Sequence, residues 1–378
     1  MPEWPAEKLQ LACFPDVPDH VSLPWDSADE YLLREADTTI PTATLILNDR
    51  HGALYCALPG AATWSDSFCA RQAAQNNARA NDLHPPDFLN YGGFSSLTNI
   101  RQVLIQIPKQ KDQLADQLRL VATHCPDANV FLAGMAKHIP ISLLNWLEVN
   151  ADEYTQPRIV KKARLLNIRG LTKFASMERS LRGYTVDGLT LNGLPGVFSR
   201  DHLDPGAEVF RQYFPDLHGK VICDLGCGNG ILAISLAKAS SGCTIIATDD
   251  SELATLATKA NAKLNDLVTN DLVTNDLVTN NSKTNNSEID VRHGNALSAV
   301  TEKLDYVFCN PPFHDGNKQL TNIALNMFSD AHKQLKGDGV LLVVANRHLP
   351  YTTALKKLFR RVRLLSDDKR FNVYYCTK

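Results

Sequence analysis

Between Lys220 and Cys376, short β-branched apolar runs alternate with longer stretches whose apolar positions recur at helical spacing. Val221 to Asp224, Thr244 to Thr248, Ile289 to His293, Tyr306 to Cys309, Val340 to Ala345, Arg361 to Leu365 and Asn372 to Cys376 are short enough to predict strands. Ile231 to Ala239, Leu253 to Leu264, Ile323 to Leu335 and Tyr351 to Phe359 predict helices. Such alternation implies an α/β fold, a largely parallel sheet covered by helices on both faces.

The first half carries a blurred copy of this pattern. Thr44 to Asn48 leads into Asp49-Arg50-His51-Gly52-Ala53-Leu54, as Val221 to Asp224 leads into Leu225-Gly226-Cys227-Gly228-Asn229-Gly230. Ser65-Asp66-Ser67 precedes Asn77 and Asn81-Asp82, as Asp249-Asp250-Ser251 precedes Asn261 and Asn265-Asp266. Apolar runs at Val103 to Ile107 and Val130 to Ala133 fall where later strands belong. We read a duplication giving tandem Rossmann-like domains, 1–185 and 186–378. The first copy is degenerate, because two of the three loop glycines are missing and Ser65 stands in place of Asp249.

Two segments interrupt the pattern. Asn-Asp-Leu-Val-Thr occurs three times in tandem from Asn265 to Thr279, followed by the polar run Asn280 to Ser287. A period of five suits neither a helix face nor a strand, so 265–287 reads as a tolerated surface insertion without chemistry. The stretch Arg158 to Arg182 holds eight Lys or Arg and one acid, Glu178. It reads as the end of the first domain plus a basic connector, facing a polyanion or simply solvent.

A length of 378 residues suits two domains, and an apolar fraction of 44% with 21% charged residues suits an ordinary globular protein. A net charge of -2 argues against coating nucleic acid through bulk charge, so any basic surface must be local. The start, Met1-Pro2-Glu3-Trp4-Pro5, lacks a secretory pattern, and no apolar run approaches a membrane span. Nine scattered cysteines form no disulfide framework, and Cys223 with Cys227 lacks a second pair at zinc spacing. A reduced, cytoplasmic protein without a metal is expected.

The chemistry concentrates at strand ends. Asp224-Leu225-Gly226-Cys227-Gly228-Asn229-Gly230 closes the first strand of the second half, and its glycines let the backbone turn sharply against a ligand. Its spacing, G-x-G-x-G after an acid, points from a pyrophosphate toward a ligand with an amino group. Asp249 ends the second strand, where a carboxylate can accept from both hydroxyls of a ribose. Asn295 follows the third strand, placed either for an adenine edge or for a turn. Asn310-Pro311-Pro312-Phe313 follows the fourth. There an amide oxygen and the Pro311 carbonyl accept both hydrogens of an aromatic amine, freeing its lone pair for a sulfonium methyl. Phe313 offers a face on which a flipped base stacks.

The glycine loop, Asp249 and Asn310 to Phe313 resemble the class I S-adenosylmethionine-dependent methyltransferases that modify exocyclic amines. Val197-Phe198-Ser199-Arg200, Asp204, Gly206, the run ending at His314, and Val344 to Leu349 resemble more closely the bacterial ribosomal RNA guanine-N2 methyltransferases. Ala28 to Leu32, Leu45 to Asp49 and Lys161 to Leu165 carry the likeness, to the large-subunit members, into the first domain. The resemblance implies tandem methyltransferase domains with a seven-stranded mixed sheet, and transfer of a methyl group to N2 of a specific guanine, position 1835, in 23S ribosomal RNA. Protein-free RNA is the form the family favours. It implies that Asp224 lies near the methionine amino group of S-adenosylmethionine, with Gly226, Gly228 and Gly230 shaping its loop. Asp249 would hold the ribose, Asn295 the adenine, and Phe198, Ser199, Asp204 and Gly206 the methionine end. Asn310, Pro311, Pro312 and Phe313 would hold the guanine, and the first domain would help to hold RNA. Lys161, Lys162, Arg164 and Arg347 are our candidates for phosphate contacts.

Four other readings compete. Release-factor glutamine and DNA adenine methyltransferases share an Asn-Pro-Pro-aromatic element, but their usual aromatic is Tyr and they lack a duplicated first domain. Small-subunit (16S) RNA is an alternative substrate that the guanine motifs do not separate. An NAD-dependent oxidoreductase shares the glycine turn and Asp249 but leaves Asn310 to Phe313 unexplained. A non-catalytic RNA-binding protein leaves the cofactor loop unexplained.

Overall fold

The computed structural model describes residues 9–16, 22–179, 181–270, 288–312 and 318–378. The chain divides into two compact units, Met1–Ser180 and Leu181–Lys378. The second begins early enough to own a complete hairpin, Arg182–Val186 paired with Leu189–Gly193, which a boundary at 185 would cut.

The second unit is an eight-stranded sheet ordered Val268–Thr269, Glu288–His293, Thr244–Asp249, Val221–Leu225, Leu304–Cys309, Leu335–Asn346, Phe371–Thr377, Arg361–Leu364. Its parallel strands run to Leu335–Asn346, against which Phe371–Thr377 is antiparallel. The seven expected strands are all present, and the eighth is the two-residue edge strand. One face packs on Ile231–Ala239 and Pro205–Arg211, the other on Lys318–Gln334 and Tyr351–Leu358. Sandwiching explains why the central strands are apolar on both faces: Ile222, Cys223, Val307 and Phe308 are all fully buried.

The first unit has a six-stranded sheet ordered Ala62–Trp64, Thr44–Leu47, Gln102–Gln106, Asn129–Met135, Ala163–Arg169, Glu153–Thr155. Compared with the second, it lacks among the described residues the two strands beyond Ala62–Trp64, and an isolated bridge from Thr63 to Phe88 marks the place of the first. Leu47 pairs with Trp64 as Leu225 pairs with Thr248. This register sets Asn48, Arg50 and Gly52 against Gly226, Gly228 and Gly230, and Ser65 against Asp249.

Two expectations need correction. The basic stretch is not a connector: Ala163–Arg169 is an inner strand of the first sheet and Thr172–Ala175 a short helix of the same unit. The presumed insertion begins too early as well. Asn265 caps the helix Glu252–Leu264, Asp266 takes a left-handed φ of 59°, and the Leu267 N–H returns to the Ala262 carbonyl. Val268–Thr269 is the edge strand, and Asn270 donates to Asp290. The first unit closes its equivalent helix the same way, with Asp82 at φ 56° and the Leu83 N–H on the Ala78 carbonyl. The first Asn-Asp-Leu is thus a helix stop built into the fold. Residues 271–287 lie outside the described structure.

Candidate active site

The polar residues of the site begin where adjacent parallel strands stop. Cys309 is level with Leu225, Leu225 with Thr248, and Asp249 with His293. Asn295, Asp249, the glycine loop and Asn310 therefore follow one another along the carboxyl edge of the sheet. From Val221–Leu225 the chain crosses to one side, and Leu304–Cys309 lies on the other, so the crevice of the topological switch opens between the glycine loop and Asn310.

All three loop glycines have positive φ, at 82°, 56° and 86° for Gly226, Gly228 and Gly230. A Cβ on Gly230 would press on Thr258 at about 3.0 Å, which keeps the helix start close to its neighbour. On Gly228 it would meet nothing within 4 Å, so that glycine serves an open face. Asn229 ties the loop outward. Its Nδ2 donates to the Ser199 carbonyl and the Tyr184 hydroxyl, both at 3.0 Å. Asn261, from the next helix, donates to the Asn229 carbonyl at 2.8 Å. Neither Tyr184 nor the loop-bracing role of Asn261 was legible as site chemistry.

Asp224 is fully buried. Its Oδ2 accepts from the Ala233 N–H at 2.9 Å, while Oδ1 is buried with no partner. Burial pushes its pKa up to about 7, against the lowering effect of that N–H. Asp249 accepts from the N–H groups of Ser251 and Gly228, each at 2.9 Å, and burial raises its pKa to about 6. An orphaned acid oxygen beside an uncovered glycine loop suits a ligand carrying an ammonium group, so these residues fit S-adenosylmethionine.

Asn310 continues from its strand with its amide turned by Asp204, to which Nδ2 donates at 3.0 Å. Among the described residues the buried Asn310 Oδ1 has no hydrogen-bond partner. Pro311 is buried and Pro312 exposed, whereas Phe313 and His314 lie outside the described residues. Asp204 caps the helix Pro205–Arg211, whose first turn contains buried Gly206. Ser199 has φ 51°, and Phe198 beside it is 56% exposed, a large ring left open to solvent. Asn295 is half-buried past Glu288–His293, next to Gly294, whose N–H donates to the Asp249 carbonyl.

The candidate RNA residues are divided between the two units. Lys161 and Lys162 are the two central residues of a tight turn closed by both hydrogen bonds between Val160 and Ala163. Lys161 pairs with Glu30 at 2.7 Å. Arg164 enters the first sheet, half-buried, its Nε without a partner. Arg347 belongs to the second unit, exposed beyond Leu335–Asn346. Among the described residues no group of His, Cys, Asp or Glu is placed to hold a metal, and no helix is long and apolar enough to cross a membrane.

The comparisons follow the same lines. Residues 2–172 match the RLMG N-terminal domain, and 188–283 with 269–375 match the methyltransferase small domain. The second match covers part of the Asn-Asp-Leu-Val-Thr region twice. A solved structure, the T. thermophilus 16S rRNA N2 G1207 methyltransferase in complex with AdoMet and guanosine, superposes with a TM-score of 0.71 at 19% identity. It covers 93% of this chain and 92% of that one, which shows the shared fold. The ribosomal RNA large subunit methyltransferase G of Erwinia tasmaniensis is 33% identical over 379 residues, 98% of this chain and 97% of the relative. A site for an S-adenosylmethionine-like ligand, in a chain matched from end to end, leads to one conclusion: the protein belongs to the ribosomal RNA large subunit methyltransferase G family.

Proposed function

We propose that the second unit transfers a methyl group from S-adenosylmethionine to the exocyclic N2 of a guanine in 23S ribosomal RNA. The observation that carries this reading is the buried, unpartnered Oδ1 of Asn310 at the crevice. Such an oxygen lacks only a donor, and an aromatic amine supplies two. When bound, the cofactor supplies a methyl group made electrophilic by its sulfonium. The Asp224 Oδ1 would receive the ammonium, Asp249 the ribose, and the segment from Phe198 to Gly206 would border the methionine end. Asn310 and the Pro311 carbonyl would accept from the amine, favouring a more pyramidal nitrogen whose lone pair is less delocalised.

In the first unit Asn48 replaces Gly226, and its side chain exchanges hydrogen bonds with Gln117. The Asp49 carboxylate turns into the loop and accepts from Gly52, Ala53 and Tyr55. These self-contacts support a first unit that binds no cofactor; it would serve RNA instead, through Lys161, Lys162 and Arg164. The large-subunit relative favours 23S over 16S RNA. Primer extension on ribosomal RNA from a strain lacking the gene tests the choice: a modified guanine should disappear from 23S RNA alone. Its loss from 16S RNA would reverse the assignment.

A further inference from the structure

A carboxamide serves an amine only if its oxygen, and not its NH2, faces the substrate. The two ends of Asn310 are similar in shape, and turning the group over would replace an acceptor with donors. A neighbouring carboxylate prevents this. The Asp204 Oδ2 lies 3.0 Å from the Asn310 Nδ2 and also accepts from the Ala207 N–H at 2.8 Å. An ionised carboxylate has no hydrogen to give, so only the NH2 end of Asn310 can face it. The oxygen is then held on the opposite side, where it is buried and without a partner.

We propose that Asp204 is a positioning residue that fixes the Asn310 carboxamide with its acceptor toward the amine, rather than a ligand of the cofactor. The inference rests on the role of Asn310 proposed above. The negative charge also polarises the amide, making its oxygen a better acceptor. A related pair exists in the first unit. By strand register Gln106 occupies the place of Asn310, and its Nε2 donates to Asp29. A purely structural tie between helix and strand is therefore the rival explanation, and the test must separate the two.

Asp204→Ser does so, because Ser caps a helix as well as Asp does but is too short to reach Asn310, whose amide is then free to turn over. The variant, Asn310→Ala and the double variant are assayed on protein-free 23S RNA, with S-adenosylmethionine affinity measured by calorimetry and melting temperature by scanning. For Asp204→Ser we expect kcat to fall about tenfold or more while KM, cofactor affinity and melting temperature stay near wild type. In the Asn310→Ala background it should add almost nothing. Asp204→Asn, whose single amide oxygen can accept from both Ala207 and Asn310 as the Asp204 Oδ2 does, should restore most of the rate. Wild-type kcat in Asp204→Ser, weakened cofactor binding, or effects that multiply in the double variant would overturn the inference alone. Near-normal turnover by Asn310→Ala would instead overturn the proposed function.

Discussion

Asn261 and Asn77 hold equivalent places in the two units and make the same three contacts. Asn261 exchanges a pair of hydrogen bonds with the Asn192 backbone and donates to the Asn229 carbonyl. Asn77 exchanges a pair with Ala12 and donates to the His51 carbonyl. Each amide braces a strand–loop–helix turn, and Asn229 and His51 are the same loop position. The scaffold of the cofactor loop thus persists in both units, while the groups that would meet a ligand persist in one.

One cofactor should therefore bind per chain. Titration calorimetry with S-adenosylmethionine should give a stoichiometry of one, abolished or strongly weakened by Asp249→Ala. Two sites would show that Asn48 and Asp49 do not close the first loop.

Binding should depend on pH through Asp224. Its pKa is raised to about 7 and that of Asp249 to about 6, both by burial. A raised carboxyl pKa adds stability that is present below the unfolded value, near 4, and is lost as pH rises through the folded value. The ligand-free protein should lose this contribution between about pH 4 and about pH 7. An ammonium favours the ionised acid, so cofactor affinity should rise over the acidic part of that range with release of a proton. Calorimetry in two buffers of different ionisation enthalpy measures that proton. Asp224→Asn should remove it, and an unchanged proton release would assign it elsewhere.

Deletions within the repeat should separate fold from insertion. Removing 266–280 deletes buried Leu267, the edge strand and the Asn270 contacts, and should cost about 2–4 kcal/mol. Removing 271–280 leaves every described contact of Asn265 to Asn270 in place, and should change stability by less than about 1 kcal/mol. Denaturant melts of the two variants give the comparison, and equal effects would contradict it.

Lys161 and Lys162 carry left-handed φ values of 46° and 68°. Such a conformation costs a non-glycine residue about 1 kcal/mol or more, and a turn of this kind prefers Asn-Gly. Lys161→Asn with Lys162→Gly should therefore raise the melting temperature, since the pair of exposed Lys161 with half-buried Glu30 offsets only part of that cost. If both lysines meet phosphates, the same variant should weaken 23S RNA binding and reduce its log-log salt slope by about two. A gain in stability with unchanged RNA affinity would leave the turn no part in binding.

The strands and helices of the second unit were legible because local periodicity decides them. The hairpin Arg182–Val186 with Leu189–Gly193 also has a signal in the sequence: Asp187-Gly188, with φ 48° and 77°, is a tight-turn dipeptide. Asp204-Pro205 likewise announces a helix start. The repeat misled because its period hid a helix stop that the chain also spells at Asn81-Asp82-Leu83. The pairing of Asp204 with Asn310 spans 106 residues and has no local trace, so only the folded sheet edge brings it into view.

Methyl transfer to a guanine amine of 23S RNA can be measured directly. Protein-free 23S and 16S RNA are each incubated with the full-length protein and methyl-labelled S-adenosylmethionine, then digested and analysed by nucleoside mass spectrometry. Labelled N2-methylguanosine should appear from 23S RNA, with almost none from the Asn310→Ala variant. Label in adenosine, in 16S RNA, or equally in the variant would contradict the proposed function.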